Sequence, residues 1–191
     1  MINSIVDENG ILTTENAVKH NISKPEFYKF IKENEFERVA HGIYAEKDSW
    51  VDPLMLAIKR CPHAVVSHDE ALYHYGMIDR EPLKPTITVY SGYNKTSLKE
   101  SGYKVYSVKK ELIGLGKTSV IDQFGNTVPM YDKERTICDL IRSRSNFEIQ
   151  GFNTALRSYA RTSDKDIGRL FEYAKHFSID KILRTYLEVL L

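Results

Sequence analysis

The chain has 191 residues, of which 42% are hydrophobic and 28% charged, enough for one large core or two small ones. No stretch approaches the ~18 apolar residues that span a bilayer, and Met1-Ile2-Asn3-Ser4 lacks a basic region followed by an apolar run. A membrane protein and a secreted one are therefore not expected, and the two cysteines, Cys61 and Cys138, fit small buried residues in a reducing cytoplasm rather than a disulfide framework.

The net charge of +1 hides a split. Residues 1–48 hold six Lys or Arg against nine Asp or Glu, giving −3, and the remainder carries +4. A slightly acidic N-terminal part argues against a strong nonspecific grip on nucleic acid, so any affinity must come from charge placement.

A first helix is expected from Ile2 to about Asn9, with Ile2, Ile5 and Val6 on one face and Gly10 as its stop. Ile11 and Leu12 pack inward. Thr13 or Thr14 caps a short second helix through Ala17, Val18 and His20. After a turn at Asn21-Ile22, Ser23-Lys24-Pro25-Glu26 reads as a capping box for a third helix reaching about Asn34. Phe27, Phe30 and Ile31 form its buried stripe. At 100° per residue, Pro25, Tyr28, Lys29 and Lys32 take the other side. A hairpin follows, with Phe36, Val39, Ile43 and Tyr44 as strand residues and His41-Gly42 at the turn. This order, residues 10–45, is that of a winged helix-turn-helix.

The charged segment Glu46–Val51 holds the only Trp. Asp52-Pro53 opens a helix carrying Leu54, Met55, Ala57 and Ile58, which Cys61-Pro62 ends. Ala64-Val65-Val66 is a buried strand. Ser67-His68-Asp69-Glu70 reads as a second capping box, for a helix that ends at Gly76. Four β-rich runs follow: Thr86–Tyr90, Lys104–Val108, Thr118–Ile121 and Thr127–Tyr131. Phe124-Gly125-Asn126 joins the last two, and Pro129 suggests an edge or a bulge. The tail is helical. Asp132 caps a helix with Ile137, Leu140 and Ile141 inward. Further helices are expected over about Phe147–Arg161, Ser163–Phe177 with Ser163 as cap, and from Ser178 to the end. The last carries Ile182, Leu183, Tyr186, Leu187 and Leu190, and it packs in the core or against a partner.

The fold class expected is α+β: an N-terminal winged helix-turn-helix over 1–48, then a mixed α+β domain over 49–191 that ends in a helical bundle. The candidate DNA contacts are Tyr28, Lys29 and Lys32 in the groove, with Ser23 and Lys24 at the helix start near the backbone. Arg38 and His41 would be wing contacts, and His41 reads equally as a plain turn residue.

The other motifs read as structural. Ser67, His68 and Asp69 resemble a hydrolase set, but consecutive residues at a helix start do not normally face one another as a triad requires, so Ser67 reads as a cap. The histidines lack metal spacing, His68 and His74 being six apart, and no Gly-rich phosphate loop occurs, so neither metal nor cofactor is expected. Glu134 favours the helix dipole, and Arg135 can pair with Asp139 at i+4. The basic residues from Lys95 to Arg169, among them Arg157 and Arg161, read as a dispersed solvated surface.

The N-terminal module, Arg38–Tyr44, the segment Ala64–Leu72 with Gly76 closing its helix, and Tyr131-Asp132-Lys133-Glu134-Arg135-Thr136-Ile137-Cys138-Asp139-Leu140 occur in one order. That ordered set, spanning essentially the whole chain, resembles the AbiEi family of antitoxins from bacterial abortive-infection toxin–antitoxin systems. The resemblance implies an N-terminal winged helix that binds inverted repeats in its own promoter and represses it. It also implies a C-terminal domain that counteracts an AbiEii-type nucleotidyltransferase toxin without a stable complex, as in type IV systems. The expected partners are thus double-stranded promoter DNA, bound by two cooperating copies, and the toxin as a functional partner. The protein is not expected to be an enzyme.

Two other classes compete with that reading. One is a DNA-targeted, metal-dependent nuclease built on Glu134 and Asp139. The other is an interaction module whose winged helix docks protein.

Overall fold

The computed structural model describes residues 5–7 and 9–190, apart from the side chains of Val189 and Leu190. It is a mixed α+β chain with two sheets, and it divides into two compact units, one ending at Pro62 and the other beginning at His63.

The first unit runs β1 (Ile11–Thr13), α1 (Thr14–Lys19), α2 (Lys24–Glu33), β2 (Phe36–Ala40), β3 (Ile43–Glu46) and α3 (Pro53–Arg60). The strands form an antiparallel sheet in the order β1-β3-β2. Strand β1 is not among the strands expected from the sequence, because three residues are too few for an alternation signal. Much of the helix expected over Ile2–Asn9 lies outside the described residues. Among those described there, 5–7 and 9, no α-helix is present, yet Ile5 is buried.

Caps set the helices. Thr13 Oγ1 accepts from Asn16 N at 3.1 Å and starts α1. Ser23 Oγ accepts from Glu26 N at 3.4 Å and starts α2, with Pro25 in the first turn. The Asp52 carboxylate accepts from Leu54 N at 2.9 Å and Met55 N at 3.2 Å ahead of α3. Phe27 and Ile31 of α2 are buried and Phe30 is half-buried, packing with Ile5, Leu12, Ala17, Phe36 and Tyr44. Phe27 meets the Tyr44 ring edge-on at 5.6 Å, and its burial contributes about 2–3 kcal/mol. In α1, Ala17 is buried and Val18 is 71% exposed. The unit also outruns the expected boundary at 48. It includes α3, whose Lys59 makes an ion pair with Asp7.

The second unit runs β4 (Val65–Val66), α4 (His68–His74), β5 (Thr86–Tyr90), α5 (Thr96–Glu100), β6 (Lys104–Val108), β7 (Lys117–Ile121) and β8 (Thr127–Tyr131). Then come α6 (Lys133–Arg142), α7 (Ile149–Arg161), α8 (Ile167–His176) and α9 (Asp180–Leu190). The sheet order is β6-β5-β4-β8-β7, with β5/β6 and β4/β8 parallel and β4/β5 and β7/β8 antiparallel. Strand β8 is therefore interior, which corrects the edge expected from Pro129. The proline is tolerated because β4 is two residues long and meets β8 at Met130.

The second unit's helices build one core around Leu72, Ile137, Leu140, Ile141, Phe152, Leu156, Leu170, Leu183 and Leu187. Asp132 caps α6, accepting from Arg135 N at 2.8 Å. Two expected starts move. Asp166, not Ser163, caps α8 through Arg169 N at 2.9 Å. Ser178 does not open α9; it sits at φ +56° just past α8, the left-handed position that ends a helix. Leu183 and Leu187 of α9 go to the core while Ile182 stays exposed. The side chains of Leu190 and Leu191 lie outside the described residues.

The β2–β3 turn depends on Gly42. Its φ is +70°, and a Cβ there would lie 2.6 Å from Thr14 Oγ1. Thr14 N also donates to Gly42 O at 2.9 Å, which locks the turn to the start of α1. Gly42→Ala should lower stability by at least about 1–2 kcal/mol through the left-handed backbone alone. Gly10→Ala at φ +67°, with its nearest neighbours at 3.8 Å, should cost only that backbone component. Urea unfolding followed by circular dichroism compares the two; equal losses would exclude the Thr14 clash.

Candidate functional site

The seven residues expected to contact DNA are all exposed in the first unit: Ser23, Lys24, Tyr28, Lys29 and Lys32 on α2, Arg38 on β2 and His41 at the turn. The apolar stripe of α2 faces the core, so its 100° period leaves Tyr28, Lys29 and Lys32 on the outer side. The two-residue turn presents Arg38 and His41 together. Arg38 Nη2 lies 2.9 Å from His41 Nδ1, and Arg38 Nε donates to Ala40 O at 3.2 Å. A register shift between Arg38 and Ala40 adds a bulge that turns the hairpin tip.

Tyr44, read from sequence only as a strand residue, joins the two parts. It pairs with Arg38 across the strands, and its ring lies 6.4 Å from Tyr28, edge to face. Burial, then the hydrogen bond and charge of Tyr28, push the Tyr44 phenol above its usual range, while Arg38 acts in the opposite direction. Tyr44, itself buried, thus ties α2 to the hairpin strand that carries Arg38. Among the described residues, Lys24, Lys32 and Arg38 have no carboxylate partner. Lys29 shares an exposed pair with Glu33 at 3.8 Å. Including α3, which adds Asp52, Lys59 and Arg60, the formal charge rises from −3 to −2.

The β4–α4 junction of the second unit departs most from expectation. Ser67 makes no side-chain cap hydrogen bond, so the expected capping box does not form. His68 takes φ +51°, which folds its ring back beside the preceding side chain. Ser67 Oγ then lies 2.9 Å from His68 Nδ1 and 2.8 Å from Thr88 Oγ1, while His68 Nε2 lies 3.3 Å from Ser143 Oγ. Adjacent residues do face one another here, because the left-handed backbone removes the usual divergence. The imidazole stacks on the Tyr106 ring at 3.5 Å and 6°. Lys104 beside it pairs with Asp69 at 2.5 Å and lies over the Tyr106 and Phe147 rings.

Ser67 and His68 are both buried. Burial drives the His68 pKa down to about 4, against the raising charges of Asp139 and Asp69. The ring is neutral at pH 7, so one nitrogen donates and the other accepts within a chain of hydroxyls.

Glu134 and Asp139, the carboxylates of the nuclease reading, are buried and engaged separately. Glu134 Oε1 accepts from Tyr159 OH at 3.1 Å and from Asp166 N at 2.9 Å. It sits in the first turn of α6, as expected, and also ties α7 and α8 to that helix. Asp139 receives Arg135 Nε at 3.0 Å on one oxygen and Arg142 Nη1 at 2.8 Å on the other. The expected Arg135–Asp139 pair is present, with both side chains at or below 1% exposure. Among the described residues, no group of three His, Cys, Asp or Glu is placed to hold a metal ion. No helix among them is long and apolar enough to cross a membrane.

No model of a known protein family matches the chain, and no curated protein does. Among solved structures, the fold is similar to that of the RV2827C protein from Mycobacterium tuberculosis. The TM-score is 0.63 at 12% identity, over 91% of this chain and 69% of that one. At that identity the likeness concerns the fold alone.

The His68 geometry gives a pH dependence with a definite sign. A histidine depressed to about 4 when folded stabilises the fold fully above its unfolded value near 6.5, and the stability is lost as pH falls between the two. The loss amounts to roughly 3 kcal/mol for this fully buried ring. His74 shifts in the same direction, also through burial. His68→Asn, which tolerates the left-handed backbone, should flatten most of the decline between pH 6.5 and 4 in urea unfolding. An unchanged slope would place the titration elsewhere.

Proposed function

We propose that the chain is a DNA-binding antitoxin and autorepressor of the AbiEi type, and not an enzyme. Its first unit acts as a winged helix-turn-helix that reads inverted repeats in its own promoter. The observation that carries this reading is the exposed basic face of α2, tied through Tyr44 to the β2–β3 hairpin that bears Arg38 and His41. The element order β1-α1-α2-β2-β3, with β1 and β2 both paired to β3, supports it. In that role Tyr28, Lys29 and Lys32 enter the major groove. Lys24 and Ser23 lie at the backbone, and Arg38 with His41 meets phosphate or the minor groove.

A unit of formal charge −2 does not bind DNA strongly by nonspecific attraction. Two copies on an inverted repeat double the phosphate contacts, so the second copy is part of the proposal. The antitoxin half rests on the resemblance of the ordered motifs. It assigns the second unit to counteracting a nucleotidyltransferase-like toxin without a stable complex.

Gel-shift titration against the chain's own upstream DNA tests the DNA half. Lys29→Ala, Lys32→Ala and Arg38→Ala together should weaken binding and lower the salt slope by about one for each phosphate no longer neutralised. These side chains are exposed, so the fold should survive. Unchanged affinity in the triple variant would move the DNA surface elsewhere. Binding absent from the parent protein at low salt would favour a protein-docking module. For the antitoxin half, a neighbouring nucleotidyltransferase gene should be toxic alone and tolerated when this chain is co-expressed.

A further inference from the structure

One face of α7 is built unlike the other helices of the second unit. Thr154, Arg157, Ser158 and Arg161, at spacings of three and four, line an open surface pocket of about 350 Å³. That volume lies at the lower end of small-ligand sites, which run roughly 300–1,000 Å³. The lining offers two guanidinium forks and two hydroxyls, and no carboxylate.

The arginines of the other helices are all engaged. Arg135 and Arg142 share Asp139, Arg169 pairs with Asp166 at 3.5 Å, and Arg184 lies over the Phe171 ring. Among the described residues, only Arg157 and Arg161 of the α6–α9 arginines have no such partner. The Ser158 hydroxyl makes one long contact, 3.4 Å to Gly76 O, which a stronger acceptor displaces. The unpaired charge is local. The other exposed positions of α7, Ile149, Gln150 and Asn153, carry none, so no stripe runs along the helix to track a nucleic-acid backbone.

We infer that this pocket is a binding site for a phosphomonoester dianion of nucleotide size. Arg157 and Arg161 grip the phosphate oxygens through paired N–H donors, and the Thr154 and Ser158 hydroxyls complete the set. The site uses none of the residues of the proposed DNA surface, and the inference does not depend on that reading.

The test titrates inorganic phosphate, AMP and adenosine into isotope-labelled full-length protein and follows amide resonances. Phosphate and AMP should move the signals of residues 154–161, and adenosine should not. Arg157→Ala with Arg161→Ala should weaken AMP binding at least about tenfold, the size of one charge-assisted hydrogen bond. The melting temperature should stay unchanged. Lysine at both positions should restore only part of the affinity, since ammonium groups lack the fork. Three results would overturn the assignment. One is no shift with AMP. Another is AMP binding unchanged in the alanine variant. The third is a short non-operator duplex moving these signals while AMP leaves them still, which would give the pocket to nucleic acid.

Discussion

A guanidinium cannot be placed in a protein interior without compensation, and Arg135 is fully buried. Its Nε is held by Asp139 at 3.0 Å, and its Nη1 donates to Leu115 O at 2.6 Å and Leu112 O at 3.0 Å. The Tyr131 ring lies 3.9 Å from the guanidinium carbon and the Phe177 ring 4.5 Å. One side chain thus draws together the end of β8, the turn before β7, α6 and the end of α8. Gly116 shows how tight the fit is. A Cβ there would lie 2.5 Å from Arg135 Cβ, and its φ of +72° already favours glycine. Removing one partner of such a pair typically costs about 3–5 kcal/mol, because the other charge stays buried and uncompensated. Asp139 extends the arrangement to Arg142, and its charge reaches His68. The α4 start and the α6 interior therefore form one electrostatic neighbourhood.

The features legible in the sequence were local ones. The runs Thr86–Tyr90, Lys104–Val108 and Thr127–Tyr131 are strands over those same residues, because β-branched and aromatic residues crowd them between turn formers. Ser23, Asp52 and Asp132 cap the helices assigned to them, since a cap needs only a side chain and an amide two or three residues on. At Ser67 the expected cap fails because other side chains take its hydroxyl. The Ser67 hydroxyl turns to Thr88 and His68. Glu134, assigned to a helix dipole, is claimed by Tyr159 and Asp166 from two other helices. Thr88, Tyr159 and Asp166 lie 21, 25 and 32 residues away, outside any local window. The five-residue helix α5 and the three-residue strand β1 escape sequence reasoning for the opposite reason: they are too short to show a period.

The candidate site follows the same division. The exposed face of α2 was readable from its 100° period, because an amphipathic helix declares both its faces at once. The link from that face to the hairpin was not readable. It depends on Tyr44, whose strand register brings Arg38 and Tyr28 to the same ring. Arg157 and Arg161 read as ordinary surface charges among many. Their distinction appears only when the arginines of α6, α8 and α9 are seen to be engaged.

Pairing, more than number, decides which charges a partner can use. Exposed ion pairs contribute about 0–1 kcal/mol each, so Lys29 can leave Glu33 at little cost when a phosphate is offered. Lys24 and Lys32 have no carboxylate to leave, whereas Arg38 is held within the hairpin by Ala40 O and His41. Lys59, by contrast, is half-buried against Asp7 and is committed to holding α3 in the first unit. Net charge counts all five alike and therefore understates what the α2 face presents. Its acidic residues do not cancel that face uniformly. Glu26 lies in the first turn of α2 and favours the helix dipole there. Glu15 is tied to Lys19 at 2.8 Å, a bond that lowers its own pKa. Toward solvent the α2 face presents Lys24, Lys29 and Lys32 beside Tyr28, with Glu26 and Glu33 among them.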